Sequence, residues 1–325
     1  MDIYLRLSKG KSLGWGAENF TSSTEFILVG LSSDPKIRNI LFAVILLIYT
    51  FTLLGNLGVI MLVLADSHLH TPMYFFLANL SGMEICYVTS TIPQMLAHLL
   101  TGHAGLSLIR CALQMYGALS LGSAEALLLG VMAYDRYLAI CQPLIYATVM
   151  GRWRQLQLAS ACWVCGFLGS VICVFLTFSH PFCGSGLINH FICELPMVLK
   201  LTCDDTHITE IIIFLLAAVV IFGPLSVILT SYGHILFSVY KMRSARLRKA
   251  FSTCSSHLVV VILYYGTTTF IYIIPRSETS PDNEKKIAMF YVVVTPLLNP
   301  IIYTLRNKDV HVAMAKVVRK LGFEQ

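Results

Sequence analysis

"MAYDRYLAIC", Met132–Cys141, follows the run "SLGSAEALLLGV", Ser120–Val131. An almost wholly apolar stretch of helical length thus ends on an adjacent acid and base, Asp135 and Arg136, set between Tyr134 and Tyr137. Ionisable groups at the edge of an apolar helix are costly and mark function by default, usually as pairs. Adjacent helical residues point about 100° apart. Asp135 and Arg136 therefore meet only if the long Arg side chain folds back, and the same side chain can leave for another partner. A pair that is close but not fixed suits a switch.

The rest of the chain has the same apolar character. Of 325 residues, 56% are hydrophobic and 12% charged, with a mean hydropathy of +0.74; a soluble domain carries about 25% charged residues. Apolar segments long enough to span a bilayer, about 20 residues each, recur near Ile37–Leu64, Pro72–Leu100, Leu106–Ile140, Leu156–Phe178, Ile208–Tyr240, Ala250–Ile274 and Ile287–Leu305. They are too long and too unalternating for barrel strands, so they read as helices. The expectation is an all-α membrane protein, a bundle of seven transmembrane helices. It divides into an extracellular N-terminus (residues 1–36), a seven-helix transmembrane domain (37–305) and a cytoplasmic tail (306–325).

Basic residues set the orientation. "KMRSARLRK", Lys241–Lys249, lies in a short connection on the same side as Arg136, Arg152 and Arg154, whereas Glu194, Asp204, Asp205, Glu210, Glu278, Asp282 and Glu284 lie on the other. This favours an extracellular N-terminus and a cytosolic C-terminus at the plasma membrane. The net charge of +6 belongs to that cytosolic face and excludes a nucleic-acid partner as its cause. The first 20 residues lack the apolar core of a cleavable signal. Asn19-Phe20-Thr21 is a glycosylation sequon on the expected outer side.

One connection is long. "HPFCGSGLINHFICELPMVLKLTCDDTH", His180–His207, holds Cys183, Cys193 and Cys203, and Cys111 starts the third helix. On an oxidising surface these four cysteines pair, and the sequence leaves three pairings open. The two His-x-x-Cys pairs, His180/Cys183 and His190/Cys193, have metal-like spacing, but oxidised cysteines offer no thiolate.

Within the third helix, Ala118, Gly122, Glu125, Met132 and Arg136 fall near one line at about 100° per residue. One face thus runs from small residues, through a buried acid, to the charge pair. The small residues make room either for a ligand or for close helix packing. Glu84, in "NLSGMEICY", is the expected partner of Glu125. Two carboxylates at one depth need a bound Na⁺ or a shared proton, or else each is separately neutral. In "PLLNPIIY", Pro296–Tyr303, Pro300 frees a backbone carbonyl that Asn299 can satisfy, unless Asn299 reaches toward the acids.

Asn56 in "GNLG", the Asp135–Tyr137 triplet, Pro224, "NPIIY" and Cys111 together resemble class A, rhodopsin-like G-protein-coupled receptors. "LHTPMYFFLANLS", "MAYDRYLAICQPLIY", "SYGHILFSVYKM", "KAFSTCSSHLVVV" and "PLLNPIIYTLRNKDV" narrow the resemblance to olfactory receptors, and "HTPMY" to their tetrapod-type, class II branch. The N-terminal stretch before the sequon is longer than is usual in that family.

The resemblance implies a short cytosolic amphipathic helix after helix seven. It implies disulfides Cys111–Cys193 and Cys183–Cys203, and an activation set of Asp135, Arg136, Tyr137, Tyr232, His257, Asn299, Pro300 and Tyr303. Its partners would be a volatile odorant, an olfactory Gs-type heterotrimeric G protein that raises cAMP, membrane lipid and a trafficking chaperone. Family geometry puts the ligand among Met115, Ala118, Leu119, Gly122, Ser123, Leu216, Val220, Tyr265, Thr268, Thr269, Tyr272 and Met289. That set holds no acid or base, and burying an unpaired charge costs several kcal/mol. The expected ligand is therefore small, neutral and mostly apolar. A transporter would call for repeats or broken helix pairs, and an enzyme for a catalytic motif such as HExxH or GxSxG; the sequence carries none of these. No cofactor is expected beyond a possible Na⁺ at Glu84/Glu125.

Overall fold

A computed structural model describes residues 25–102, 105–242, 245–273, 281–306, 310 and 312–316, with the side chains of 242–254, 270–282 and 304–306 outside the description. Seven long helical segments form the bundle: α1 (Pro35–Ala65), α2 (Pro72–Thr101), α3 (Leu108–Cys141), α4 (Arg152–Phe178), α5 (His207–Met242), α6 (Ala245–Ile273) and α7. The last runs as Pro281–Met289, a π-helical turn Phe290–Val294, and Thr295–Arg306. Among the described residues, five helices are long and apolar enough to cross a membrane (α1, α3, α4, α5 and the Asn283–Tyr303 part of α7), and α2 and α6 complete the bundle.

The helix starts follow local chemistry. Asp34 caps α1 by accepting from the Lys36 N–H, and Pro35 occupies the first turn, where its missing N–H costs nothing. Gly102 closes α2 at φ 71, a left-handed value that suits glycine. Helix α6 begins at Ala245 and α7 at Pro281, both earlier than the apolar runs suggested, because polar turns extend a helix without lengthening its hydrophobic stretch.

Helix α3 is the central element, packed against α2, α4, α5 and α6. In a bilayer, small residues let helices approach and pack. Gly166 of α4 does this against α3, where an added Cβ would lie 2.5 Å from the Ser120 carbonyl oxygen. Gly130 of α3 does it against Pro224 of α5, at 2.9 Å.

The expectation of an all-helical chain missed a small sheet. Strands β1 (Glu25–Leu28), β2 (Gly105–Ser107) and β3 (Leu187–Ile188) pair in the order β2-β1-β3, with β1 antiparallel to β2 and parallel to β3. Leu106, assigned to the third helix from its apolar context, therefore lies in β2. Burial alternates along β1, so that Phe26 and Leu28 point inward, and Phe26 meets Phe182 of the long loop edge to face at 5.1 Å. Two disulfides fasten the same loop, Cys111–Cys193 to the start of α3 and Cys183–Cys203 across its own span. The sheet and this loop define one end of the bundle, the loop end.

At the opposite end, a short helix, Pro143–Val149, follows α3. Residues 312–316 beyond α7 are helical too, with Val310 and Ala313 buried and Lys316 Nζ 3.2 Å from Asp66 Oδ2 at the α1–α2 turn. Hydrogen bonds from His68 and the Lys316 charge hold the Asp66 carboxyl below its usual range.

Candidate functional site

A cavity of about 160 Å³ opens among α2, α3, α4, α5, α6, α7 and the long loop. Its α3 wall is the face read from helical spacing: Ala118, Gly122 and Glu125 all line it. Gly122 serves both alternatives: it lines the cavity, and its carbonyl accepts the Tyr264 hydroxyl of α6, which an added Cβ would approach to 3.6 Å, an ordinary contact. Met115, Leu119, Ser123, Leu216, Val220 and Thr268 line it as well.

Three of the expected ligand residues, Tyr265, Thr269 and Met289, are not among the residues that line the cavity. Tyr265 is buried and donates its hydroxyl to the Ala126 carbonyl at 2.9 Å, bracing α6 on α3. Thr269 and Met289 are half-buried but are not among the lining residues, and the Tyr272 side chain lies outside the described residues. Helix α6 is rotated relative to the expected face, so Tyr264 and Thr267 face the cavity beside Thr268. Three acids that the expected lining set lacked, Glu84, Glu125 and Glu194, also line it. Glu84 and Glu125 were read as an ion site apart from the ligand, and Glu194 only as an outer-loop charge. Disulfide Cys111–Cys193 draws Glu194 over α3, a long-range placement that local spacing does not encode.

Further along α3, Glu84 and Glu125 stand within hydrogen-bonding reach of each other. Asn299 donates its Nδ2 to Glu84 Oε1. Glu84 Oε2, Glu125 Oε1 and Asn299 Oδ1 are buried with no hydrogen-bond partner. Oxygen donors from α2, α3 and α7 thus converge without a basic side chain among them, a set that fits a small hard cation or a shared proton. Asn299 therefore reaches toward the acids. The carbonyl freed by Pro300 is met instead by Asn56 of α1, whose Nδ2 lies 3.5 Å from the Pro296 oxygen.

At the end opposite the loop, Arg136 Nη2 folds back onto Asp135 Oδ2 at 2.8 Å. Asp135 is fully buried, and its other oxygen accepts the Tyr146 hydroxyl at 2.9 Å from helix Pro143–Val149. Burial, then the Asp135 charge, raises the Tyr146 phenol above its usual range, so it stays a donor. Sequence reasoning did not single out Tyr146, since nothing in "QPLIY" announces that its ring turns back to α3. Tyr137 packs beside His234 at 5.5 Å between ring centres. Tyr232 of α5 and His257 of α6 meet at 2.7 Å between hydroxyl and Nδ1. Tyr303 is buried, its hydroxyl without a hydrogen-bond partner. Within the expected activation set the structure thus shows two direct side-chain contacts, Asp135–Arg136 and Tyr232–His257, and the sequon at Asn19 lies outside the described residues.

The fold recurs in known proteins. The chain resembles squid rhodopsin in structure, with a TM-score of 0.66 at 18% identity, covering 90% of this chain and 88% of that one; at that identity the likeness speaks for the fold. A family model described as "Olfactory receptor" matches residues 45–320. Olfactory receptor 5F1 of Homo sapiens is 47% identical over 304 residues, 93% of this chain and 97% of its own length. Olfactory receptor 5AR1 of Mus musculus is 45% identical over 304 residues, 93% of this chain and 98% of its own. A family match over most of the chain and near-complete coverage of both chains by these relatives leave one reading of the chain as a whole: it belongs to the olfactory receptor family, membrane-embedded G-protein-coupled receptors and not enzymes.

Proposed function

We propose that this receptor binds a small, neutral, mostly apolar volatile in the loop-end cavity and activates an olfactory Gs-type heterotrimeric G protein, raising cAMP. The observation that carries the reading is the continuity of α3, which lines the cavity with Ala118, Gly122 and Glu125 and ends on the Asp135–Arg136 pair. The size argument is direct: an engineered cavity of about 150 Å³ holds benzene, and this one is about 160 Å³. Ligands of roughly six to ten heavy atoms follow, given that side chains adjust.

In this reading the loop end is extracellular at the plasma membrane, the Arg136 end is cytosolic, and Glu84 with Glu125 holds Na⁺ or one proton. Arg136 would leave Asp135 for the G protein on activation, while Tyr232–His257 and the Asn299, Pro300 and Tyr303 cluster rearrange with it. A trafficking chaperone would bring the chain to the surface, and membrane lipid would surround it.

The test is a panel of neutral volatiles applied to cells that express the chain with a trafficking chaperone, with and without added olfactory Gα. Ligand-evoked cAMP that depends on the Gα is expected. Ligand-evoked current without any G protein would refute the reading in favour of a channel.

A further inference from the structure

The cavity is roofed at the loop end. Ile192, Cys193, Glu194 and Leu195, the long-loop residues that line it, are all buried. Cys193 and Leu195 pack with Phe26 and Leu28 of β1 and Ile188 of β3. The Ile27 and Val29 N–H groups of β1 donate to the Gly186 and Ile188 carbonyls of the loop, each at 2.9 Å. Lifting this roof to admit a ligand would break those bonds and leave their backbone groups to be satisfied elsewhere.

The flank between α4 and α5 differs. Among the described residues that line the cavity, Cys165 of α4 alone is exposed. Gly169, one turn further along α4, also lines the cavity, and an added Cβ there would meet nothing within 4 Å. Cys165 and Gly169 each follow directly on an exposed apolar side chain of the outer face, Val164 and Leu168. On α5, Leu216 and Val220 line the cavity and follow exposed Leu215 and Val219 in the same way. Each helix thus carries one row toward lipid and a neighbouring row toward the cavity. Both helices pack mainly on α3 and little on each other. The cavity therefore borders the bilayer along the seam between them.

We propose that ligands enter and leave the cavity from the bilayer through the seam between α4 and α5, with Cys165 and Gly169 on one rim and Leu216 and Val220 on the other. The proposal rests on the receptor reading above for its ligand class and adds the route. Parting two transmembrane helices breaks no backbone hydrogen bond, because each helix satisfies its own. The rim side chains are carbon and sulfur only, so a neutral ligand crosses without exchanging strong hydrogen bonds. The bilayer also concentrates such ligands, by about fourfold for each methylene. Ionised groups are costly at membrane depth, so the route itself excludes ammonium and carboxylate ligands before the cavity is reached.

The experiment follows thiol modification in membranes that contain the full-length receptor. The reporter is Ser123→Cys, on the α3 wall of the cavity, in a background of Cys165→Ser and Cys173→Ser that removes the native cavity thiols. The probes are propyl methanethiosulfonate, which is uncharged, and 2-(trimethylammonium)ethyl methanethiosulfonate, which is permanently charged. Mass spectrometry reads the modification rate at position 123 relative to Cys86, which is exposed on α2 and does not line the cavity. That ratio cancels expression level and the amount of reagent in the membrane. The uncharged probe is expected to modify position 123 and the charged one to leave it intact. Gly169→Trp should slow the uncharged reaction by at least about tenfold, equivalent to about 1.4 kcal/mol of added barrier, yet let it reach the same final extent. A Trp that merely filled the cavity would lower the extent instead, and that outcome counts against the seam. Leu216→Trp, on the facing rim, should act likewise and keeps the test open if Gly169→Trp does not reach the membrane. Joint Cys183→Ser and Cys203→Ser, which loosens the roof, should leave the ratio unchanged. An unchanged ratio in both rim variants, a faster reaction with the loosened roof, equal rates for the two probes, or an inert position 123 beside a reactive Cys86 would each overturn the seam. Because the readout uses no G protein, any of these results leaves the receptor reading intact, and a receptor silent toward every volatile would still report on the route.

Discussion

Asn56 of α1 donates through Nδ2 to the Pro296 carbonyl of α7 at 3.5 Å, and to Thr52 of its own helix at 3.0 Å. The first bond has a covalent cause. Pro300 has no N–H, so the carbonyl four residues earlier loses its helical donor, and Asn56 supplies one from across the bundle. Removing a partner from a buried carbonyl costs about 1–3 kcal/mol. Asn56→Leu, similar in size, is expected to lower the melting temperature of the purified receptor. An unchanged melting temperature would mean that the 3.5 Å contact contributes nothing to stability.

Glu84 and Glu125, with Asn299 between α2 and α7, form one coupled site in the proposed reading. Gln at either position leaves a neutral amide where a cation or shared proton was needed. Each single variant is expected to lose sodium dependence of ligand potency and to shift basal cAMP. If both variants keep the wild-type sodium response and potency, the acids act separately, each neutral and hydrogen-bonded.

The bond Cys111–Cys193 fixes the loop over the cavity and brings Glu194 into its wall. Loss of a native disulfide of this kind costs about 2–5 kcal/mol. Cys193→Ser is therefore expected to reduce both surface expression and response, and more severely than Cys203→Ser, whose bond spans only 20 residues within the loop. Normal surface level and potency in Cys193→Ser would show that the sheet and the packing of Phe26 hold the loop without it.

Much of this architecture could be read along the chain, because the lipid environment imposes long apolar runs and α3 displays its functional face at helical spacing. Ala118, Gly122 and Glu125 illustrate this: period alone aligned them, and all three line the cavity. What escaped is what depends on contacts between distant segments. Strand β1 has an ordinary alternation over only four residues, too short to be distinguished from a turn until β2 and β3 pair with it. The rotation of α6 exchanged Tyr264 for Tyr265 as the cavity residue; both are tyrosines in one run, and only packing on Gly122 and Ala126 separates them. Glu194 and Tyr146 likewise owe their roles to partners 97 and 11 residues away.

The Asp135–Arg136 contact yields the last prediction. Arg136 is held at 2.8 Å by one carboxylate oxygen of Asp135, and Tyr146 holds the other at 2.9 Å. Tyr146 thereby fixes the carboxylate that retains Arg136. In the proposed resting state this keeps Arg136 from the G protein, so removing the acid and removing the base should act in opposite directions. Asp135→Asn is expected to raise ligand-independent cAMP, and Arg136→Ala to abolish signalling at equal surface expression. Tyr146→Phe loosens the carboxylate without removing it and should raise basal cAMP less than Asp135→Asn does. The magnitude is bounded. A ligand shifts this equilibrium only by its differential affinity for the two states, so a weak volatile can work only against a small bias. An ion pair at a wet membrane edge is worth about 0–1 kcal/mol, and more where buried, which sets the expected basal rise at about two- to tenfold. Basal cAMP and surface labelling of the three variants, measured side by side, decide the matter. If Asp135→Asn is fully expressed and silent, the pair does not restrain the receptor, and Tyr146 and Asp135 serve only to anchor the Pro143–Val149 helix to α3.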